Sequence, residues 1–169
     1  MAKKPSVKNK NIAVIGAGNW GRNLIRNFSE LHALAAVSDK SASVLKEMRK
    51  LYPSCEFYPS LKDVLSHPEV EAVVIATSAE THFLLAREAL LSGKHVFVEK
   101  PMTLTEKDAE ELIALAKEHN LILMVGHLLQ HHPVFLKLKQ IASAGELGRI
   151  HYIYSHRLNL GKIRREENI

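Results

Sequence analysis

At 169 residues, with 46% hydrophobic and 24% charged side chains, the chain has the profile of one globular domain, or of one domain and the start of another. That profile excludes a disordered chain. The single cysteine, Cys55, excludes an internal disulfide framework and any multi-cysteine metal knuckle, and no apolar run approaches the roughly 18 residues of a membrane helix. The net charge of +5 sits at the ends: residues 1–10 hold four lysines and no acid, residues 157–169 net +2, and the 146 residues between them net −1. A nucleic-acid binder spreads its basic residues over a folded face, so nucleic acid is not an expected partner. The Lys3–Lys10 stretch reads as a basic, solvated tail, with an anion-binding arm as the minority reading. Gly16, Gly18 and Asn19 interrupt any apolar leader behind those lysines, so a cytoplasmic chain is expected.

Taken in chain order, strands alternate with helices. Asn11–Ile15 is a short apolar run ending at Gly16, and Trp20–Leu31 follows with Trp20, Leu24, Ile25, Phe28 and Leu31 at helical spacing. Ala33–Val37 is a second buried run, Ser41–Leu51 is helical, and Pro53 closes that unit. Cys55–Tyr58 predicts a third strand and Ser60–Leu65 a short helix. Val70–Ala76 is the clearest strand; Glu80–Leu91 is a helix stopped by Gly93, and Lys94–Val98 a strand. Thr105–His119 is a helix capped by Thr105, Leu121–Val125 a strand ending at Gly126, and Pro133–Ala144 a helix closed by Gly145. Arg149–Leu160 carries a long, partly alternating strand pattern.

Short apolar strands separated by helices indicate βαβ units and a parallel sheet buried on both faces. With right-handed crossovers this is an α/β, doubly wound parallel sheet. The expected organisation is a basic tail over 1–10, a dinucleotide-binding domain over 11–145, and over 146–169 the first strand of a further α+β domain that the chain lacks. An unpaired edge strand there would find a partner, so a homo-oligomer through the C-terminal strand is expected.

Gly16-Ala17-Gly18-Asn19-Trp20-Gly21 fits G-x-G-x-x-G between a strand and a helix, and Asp39 lies 18 residues beyond Gly21 at the end of the next strand. Gly16 permits the tight turn, Gly18 lets backbone approach a pyrophosphate, and Gly21 allows close helix–strand packing. The N–H groups around Asn19, Trp20 and Gly21 would bind phosphates with help from the helix dipole. Asp39 would accept hydrogen bonds from the adenosine ribose and repel a 2′-phosphate, favouring NAD over NADP, although Lys40 and Ser41 soften that preference.

Ligands of such a sheet bind outside the carboxyl ends of the strands, where Thr77-Ser78, Glu99-Lys100-Pro101 and Gly126-His127 fall. Lys100 is the base candidate, since a lysine partly desolvated beside a cationic ring loses its proton more readily. Pro101 fixes the backbone after it and suits a cis bond. His82, in the first turn after Thr77-Ser78, is by itself more often a capping or packing residue than a ligand contact. His127, His131 and His132 flank Gln130 without a carboxylate or cysteine at ligand spacing, so no metal is expected. Cys55 has no basic partner nearby in sequence and reads as a buried apolar residue.

The fingerprint Gly16–Gly21, Ala76-Thr77-Ser78 with His82 five residues after Thr77, and Glu99-Lys100-Pro101 together resemble the Gfo/Idh/MocA oxidoreductases, over nearly the whole chain. Gly126–Pro133, Gly145–Gly148 and Arg157 through Asn168 are similar to a narrower branch, the 3-dehydrogenases of UDP-N-acetylglucosamine and its uronate in surface-polysaccharide synthesis. The resemblance implies a Rossmann NAD-binding domain and oxidation of a sugar C3 hydroxyl, with Lys100 assisting removal of its proton. It implies that Thr77, Ser78 and His82 line the cofactor, and that Glu99 orients Lys100 or the nicotinamide ribose. His127, Gln130, Arg157, Asn159, Arg164 and Arg165 would lie near the nucleotide sugar or a subunit contact; paired arginines suit a diphosphate or a uronate, and solvated charges on a frayed end is the other reading. Family members carry a further C-terminal domain holding most of the substrate pocket, including a histidine that works with the lysine, and no position here replaces it. The alternative is therefore a non-catalytic dinucleotide-binding module that acts through a partner subunit.

Overall fold

The structure, a computed structural model, describes residues 11–156 and 158. The expected tail over 1–10 and the candidate residues Arg157, Asn159, Arg164 and Arg165 lie outside the described residues.

Six strands form one sheet: β1 (Ile12–Ile15), β2 (Leu34–Ser38), β3 (Glu56–Tyr58), β4 (Ala72–Ile75), β5 (His95–Val98) and β6 (Leu123–Val125). They lie in the order β3-β2-β1-β4-β5-β6, every neighbouring pair parallel. Strands of three to five residues cannot pair in parallel without a crossover, and five helices supply it: α1 (Gly21–Glu30), α2 (Ala42–Leu51), α3 (Leu61–Leu65), α4 (Ala79–Leu91) and α5 (Glu106–Glu118). Alternation along the central strands sorts the core into two layers. Ala13, Ile15, Val73 and Ile75 pack with Leu90 and Leu112 of α4 and α5. Val14 and Val74 pack with Leu24, Ile25 and Met48 of α1 and α2. Burial on both faces is why these strands read as apolar runs and not as alternating ones.

Local signals set the helix limits. Ser41, Ser60 and Thr105 accept hydrogen bonds from Val44, Asp63 and Asp108 N–H and so cap α2, α3 and α5. Gly93 follows α4 at φ +74°, the left-handed stop expected there. Helix α1 starts at Gly21; Trp20 and Leu31 are its caps and both are exposed, so the helical spacing overextends the helix by one residue at each end. Cys55 is half-buried, its thiol donating to the Leu34 carbonyl at 3.6 Å.

The residues up to Gly126 form one compact unit and those from His127 onward a second. The second opens with a 3-10 turn, Leu128–His131, and continues as α6 (Pro133–Ser143), capped by His132 Nδ1, which accepts from Val134 N–H at 3.3 Å. None of the residues of α6 is buried. The strand expected over 149–160 does not form among the described residues: 150–156 carry no regular structure, and Tyr152, Ile153 and Tyr154 are exposed. An alternating pattern marks a strand only when a partner edge accepts its hydrogen bonds, and none of the described strands pairs with it. Among the described residues no helix is long and apolar enough to cross a membrane.

Candidate functional site

Strands β1 and β4 lie side by side while their connections diverge, which opens a crevice at their carboxyl ends. The fingerprint turn fills one lip of it. Gly16 has φ +92°, and a Cβ there would lie 2.7 Å from the Ala76 carbonyl oxygen, so only glycine fits against the end of β4. A Cβ on Gly21 would lie 1.9 Å from the Gly16 carbonyl oxygen, which shows how closely α1 approaches the turn. A Cβ on Gly18 would meet nothing within 4 Å. Gly18, Asn19 and Trp20 are exposed, and the first turn of α1 has neither an acidic residue nor a side-chain cap. Uncapped N–H groups at a helix start, on an open glycine backbone, suit an anionic group.

Asp39 follows β2 and is half-buried; its two carboxylate oxygens each accept one backbone N–H, from Ala17 at 2.8 Å and from Ser41 at 2.8 Å. A carboxylate offers about four lone-pair sites, so these contacts fix its orientation and leave acceptor capacity over. Next to it, Arg22 pairs with Glu47 at 2.5 and 2.8 Å. Glu47's hydrogen bond raises the guanidinium's pKa further, and Arg22's holds the Glu47 carboxyl below the ordinary range.

At the end of β4, Thr77 and Ser78 are half-buried. Thr81, one turn into α4, donates to the Ser78 carbonyl at 2.8 Å. Its hydroxyl proton being spent there, Thr77 is the donor in the 2.7 Å contact between the Thr77 and Thr81 hydroxyls. His82 is 1% exposed, with Nδ1 2.7 Å from the Pro101 carbonyl oxygen and Nε2 3.1 Å from that of Thr77. Both partners are pure acceptors; a neutral ring donates to one of them, an imidazolium to both. Its ring nitrogens meet backbone carbonyls, so His82 ties the end of β4 to the segment after β5.

Glu99 follows β5 and is 8% exposed. Its Oε1 accepts from Trp20 Nε1 at 2.6 Å, and its Oε2 from the Lys100 backbone N–H at 3.3 Å. Gly126, after β6, makes room for that carboxylate, since a Cβ there would lie 2.8 Å from Oε1 and 2.9 Å from Oε2. The Lys100–Pro101 peptide bond is cis, and both residues are exposed. The partial desolvation expected of Lys100 is thus not supplied by the described residues. In the second unit, His127 and Gln130 are exposed, on the residue before and within the 3-10 turn.

The turn, Asp39, Thr77-Ser78 and Glu99-Lys100-Pro101 thus come from four strand ends to one edge of the sheet. Sequence reasoning missed Thr81, legible only as a hydroxyl four residues from Thr77 on a helix, and the Trp20–Glu99 hydrogen bond, whose partners stand 79 residues apart.

The family model for the Gfo/Idh/MocA proteins, described as an oxidoreductase family with an NAD-binding Rossmann fold, matches residues 10–127. The chain belongs to this family. As a Gfo/Idh/MocA oxidoreductase it is 37% identical over 149 residues to the UDP-N-acetylglucosamine 3-dehydrogenase of Acidithiobacillus ferrooxidans, covering 86% of this chain and 44% of that one. A solved structure of UDP-N-acetylglucosamine 3-dehydrogenase from that organism superposes with a TM-score of 0.71 at 36% identity, over 77% of this chain and 42% of the other. The scyllo-inositol dehydrogenase of Lactobacillus casei, solved with bound NAD(H) and scyllo-inositol, gives 0.78 at 26% identity, over 83% and 43%. The chain spans less than half the length of these relatives. The open backbone at Gly18, the uncapped start of α1 and the oriented Asp39 carboxylate fit the dinucleotide that the family fold binds.

Proposed function

We propose that the chain is the cofactor-binding part of an NAD-dependent dehydrogenase that oxidises the C3 hydroxyl of a UDP-N-acetyl-hexosamine or its uronate, in the cytoplasm, for surface-polysaccharide synthesis. The observation that carries the dehydrogenase reading is the meeting of the fingerprint turn and the Glu99-Lys100-Pro101 turn at one sheet edge, joined by the Trp20–Glu99 hydrogen bond. The relative's activity on UDP-N-acetylglucosamine, at 37% identity, supports the substrate class.

In this reading Gly16, Gly18, Asn19, Trp20 and Gly21 hold the pyrophosphate, Asp39 takes the adenosine ribose and disfavours a 2′-phosphate, and Thr77 and Ser78 line the nicotinamide side. The bound nicotinamide supplies the hydride acceptor. Lys100 Nζ receives the hydroxyl proton, Glu99 fixes the backbone from which Lys100 projects, and Pro101 sets the direction of the turn. His127 and Gln130, with Arg157, Asn159, Arg164 and Arg165, contact the nucleotide sugar. Residues 11–145 act as the dinucleotide-binding domain, and 146–169 begin a substrate and oligomer domain. Exposed Ile150, Tyr152, Ile153 and Tyr154 support self-association.

One observation favours the second reading, a dinucleotide-binding module acting through a partner: the Lys100 side chain is exposed among the described residues. Turnover separates the two. Calorimetric titration of the chain with NAD, then with UDP-N-acetyl-glucosaminuronate at saturating NAD, is followed by an assay for substrate-dependent NADH. Binding of both and NADH formation, abolished in Lys100→Ala while NAD affinity stays within a few-fold, supports the enzyme. NAD binding without turnover supports the module, and binding of neither overturns both.

A further inference from the structure

Trp20 is the chain's one tryptophan, and it stands in the fingerprint, 42% exposed and outside the helix that it caps. Its ring nitrogen nevertheless makes a 2.6 Å contact with a carboxylate that is itself 8% exposed. A buried carboxylate must be held by donors. Glu99 has two, the Trp20 indole and the Lys100 backbone N–H, one on each oxygen. Both bonds end on a carboxylate and are charge-assisted, and the indole bond is the shorter by 0.7 Å, so Trp20 is the group that holds the carboxylate most firmly. Gly126 makes room for the carboxylate, since a Cβ there would press on both of its oxygens. Glu99 therefore cannot leave the indole without losing its shorter hydrogen bond.

We propose that Trp20 is a positioning residue for Lys100: through Glu99 it ties the dinucleotide-binding turn to the backbone of the residue that takes the substrate proton, so that occupancy of the turn is transmitted to Lys100. This rests on the reading of Lys100 given above. The route consists of two hydrogen bonds and runs from the start of α1, through the end of β5, to the Lys100 amide. A displacement of a catalytic group by about 1 Å costs on the order of 100-fold in rate, so a link of this kind matters to turnover more than to cofactor affinity.

The test uses the whole chain, labelled with nitrogen-15. A single tryptophan gives a single indole N–H resonance, far downfield when it is bonded to a carboxylate. Trp20→Phe keeps an aromatic ring and removes the donor; Glu99→Gln keeps the shape and removes the charge; Gly126→Ala displaces the carboxylate. Glu99→Gln and Gly126→Ala should move the indole resonance upfield, and all three variants should shift the Lys100 amide. NAD added to the wild type should move the indole and the Lys100 amide with one binding curve. NAD affinity in Trp20→Phe should stay within a few-fold, while kcat falls by about 10- to 100-fold and KM for the sugar changes little. An unmoved Lys100 amide in Trp20→Phe, or an indole resonance unaffected by Glu99→Gln, overturns the proposal. Should Trp20→Phe fail to fold, Gly126→Ala and Glu99→Gln decide the same question. A wild type without turnover refutes the role given to Lys100 but leaves the coupling to be decided by the amide and indole shifts.

Discussion

The glycines of the fingerprint turn have separable duties, and two substitutions pull them apart. A Cβ at Gly21 would sit 1.9 Å from the Gly16 carbonyl oxygen, whereas contacts under 3.0 Å are essentially never found. Gly21→Ala must therefore drive α1 away from the turn by about 1 Å, against the packing of Leu24 and Ile25 on Val14 and Val74. Overpacking of this kind costs about 1–3 kcal/mol. At about 2–4 °C per kcal/mol for a chain of this size, the melting midpoint should fall by about 2–12 °C. Gly18→Ala meets open space, so its stability should stay within about 0.5 kcal/mol of wild type. Its methyl group would instead stand between the backbone and a pyrophosphate. Loss of one charge-assisted hydrogen bond, about 1.5–3 kcal/mol, weakens NAD roughly 10- to 100-fold. Differential scanning calorimetry with NAD titration reads both quantities on each variant. A wild-type midpoint in Gly21→Ala refutes the packing argument, and wild-type NAD affinity in Gly18→Ala refutes the placing of the phosphates.

Asp39→Ala should relax the preference for NAD over NADP, measured as the ratio of the two dissociation constants; an unchanged ratio would mean that Asp39 only orients the turn through Ala17 and Ser41. His82→Ala removes a buried ring that bridges the Thr77 and Pro101 carbonyls and should cost about 1–3 kcal/mol in chemical denaturation, with Gln the milder replacement because its amide still donates to one of them. Arg22's hydrogen bond lowers the Glu47 carboxyl, so that contribution is present above the ordinary carboxylate value and is lost as the pH falls through the folded one. Thermal midpoints of wild type and Glu47→Gln should therefore converge in acid, over roughly pH 3–5, and the small gap above that range should shrink in high salt, since both side chains are exposed.

What the sequence determined by itself was local and periodic. Apolar runs of strand length, caps such as Thr105 and stops such as Gly93 place every described strand and α-helix to within about two residues, because each depends on neighbours in the chain. The fingerprint carried its ligand class for the same reason: turn, open backbone and helix start are consecutive in sequence. Tertiary structure decided what needed a distant partner. The 149–160 pattern was legible as a strand, yet a strand is made by its neighbour, and residues 150–156 have none among the described strands. His82 read as a capping or packing residue, and only the fold set the Thr77 and Pro101 carbonyls on its two nitrogens. Lys100 read as partly desolvated, but burial is a property of what stands over a residue, and it proved exposed. Trp20 read as part of a helix face, and only the parallel register, which brings the ends of β1, β4 and β5 level, set its indole on Glu99.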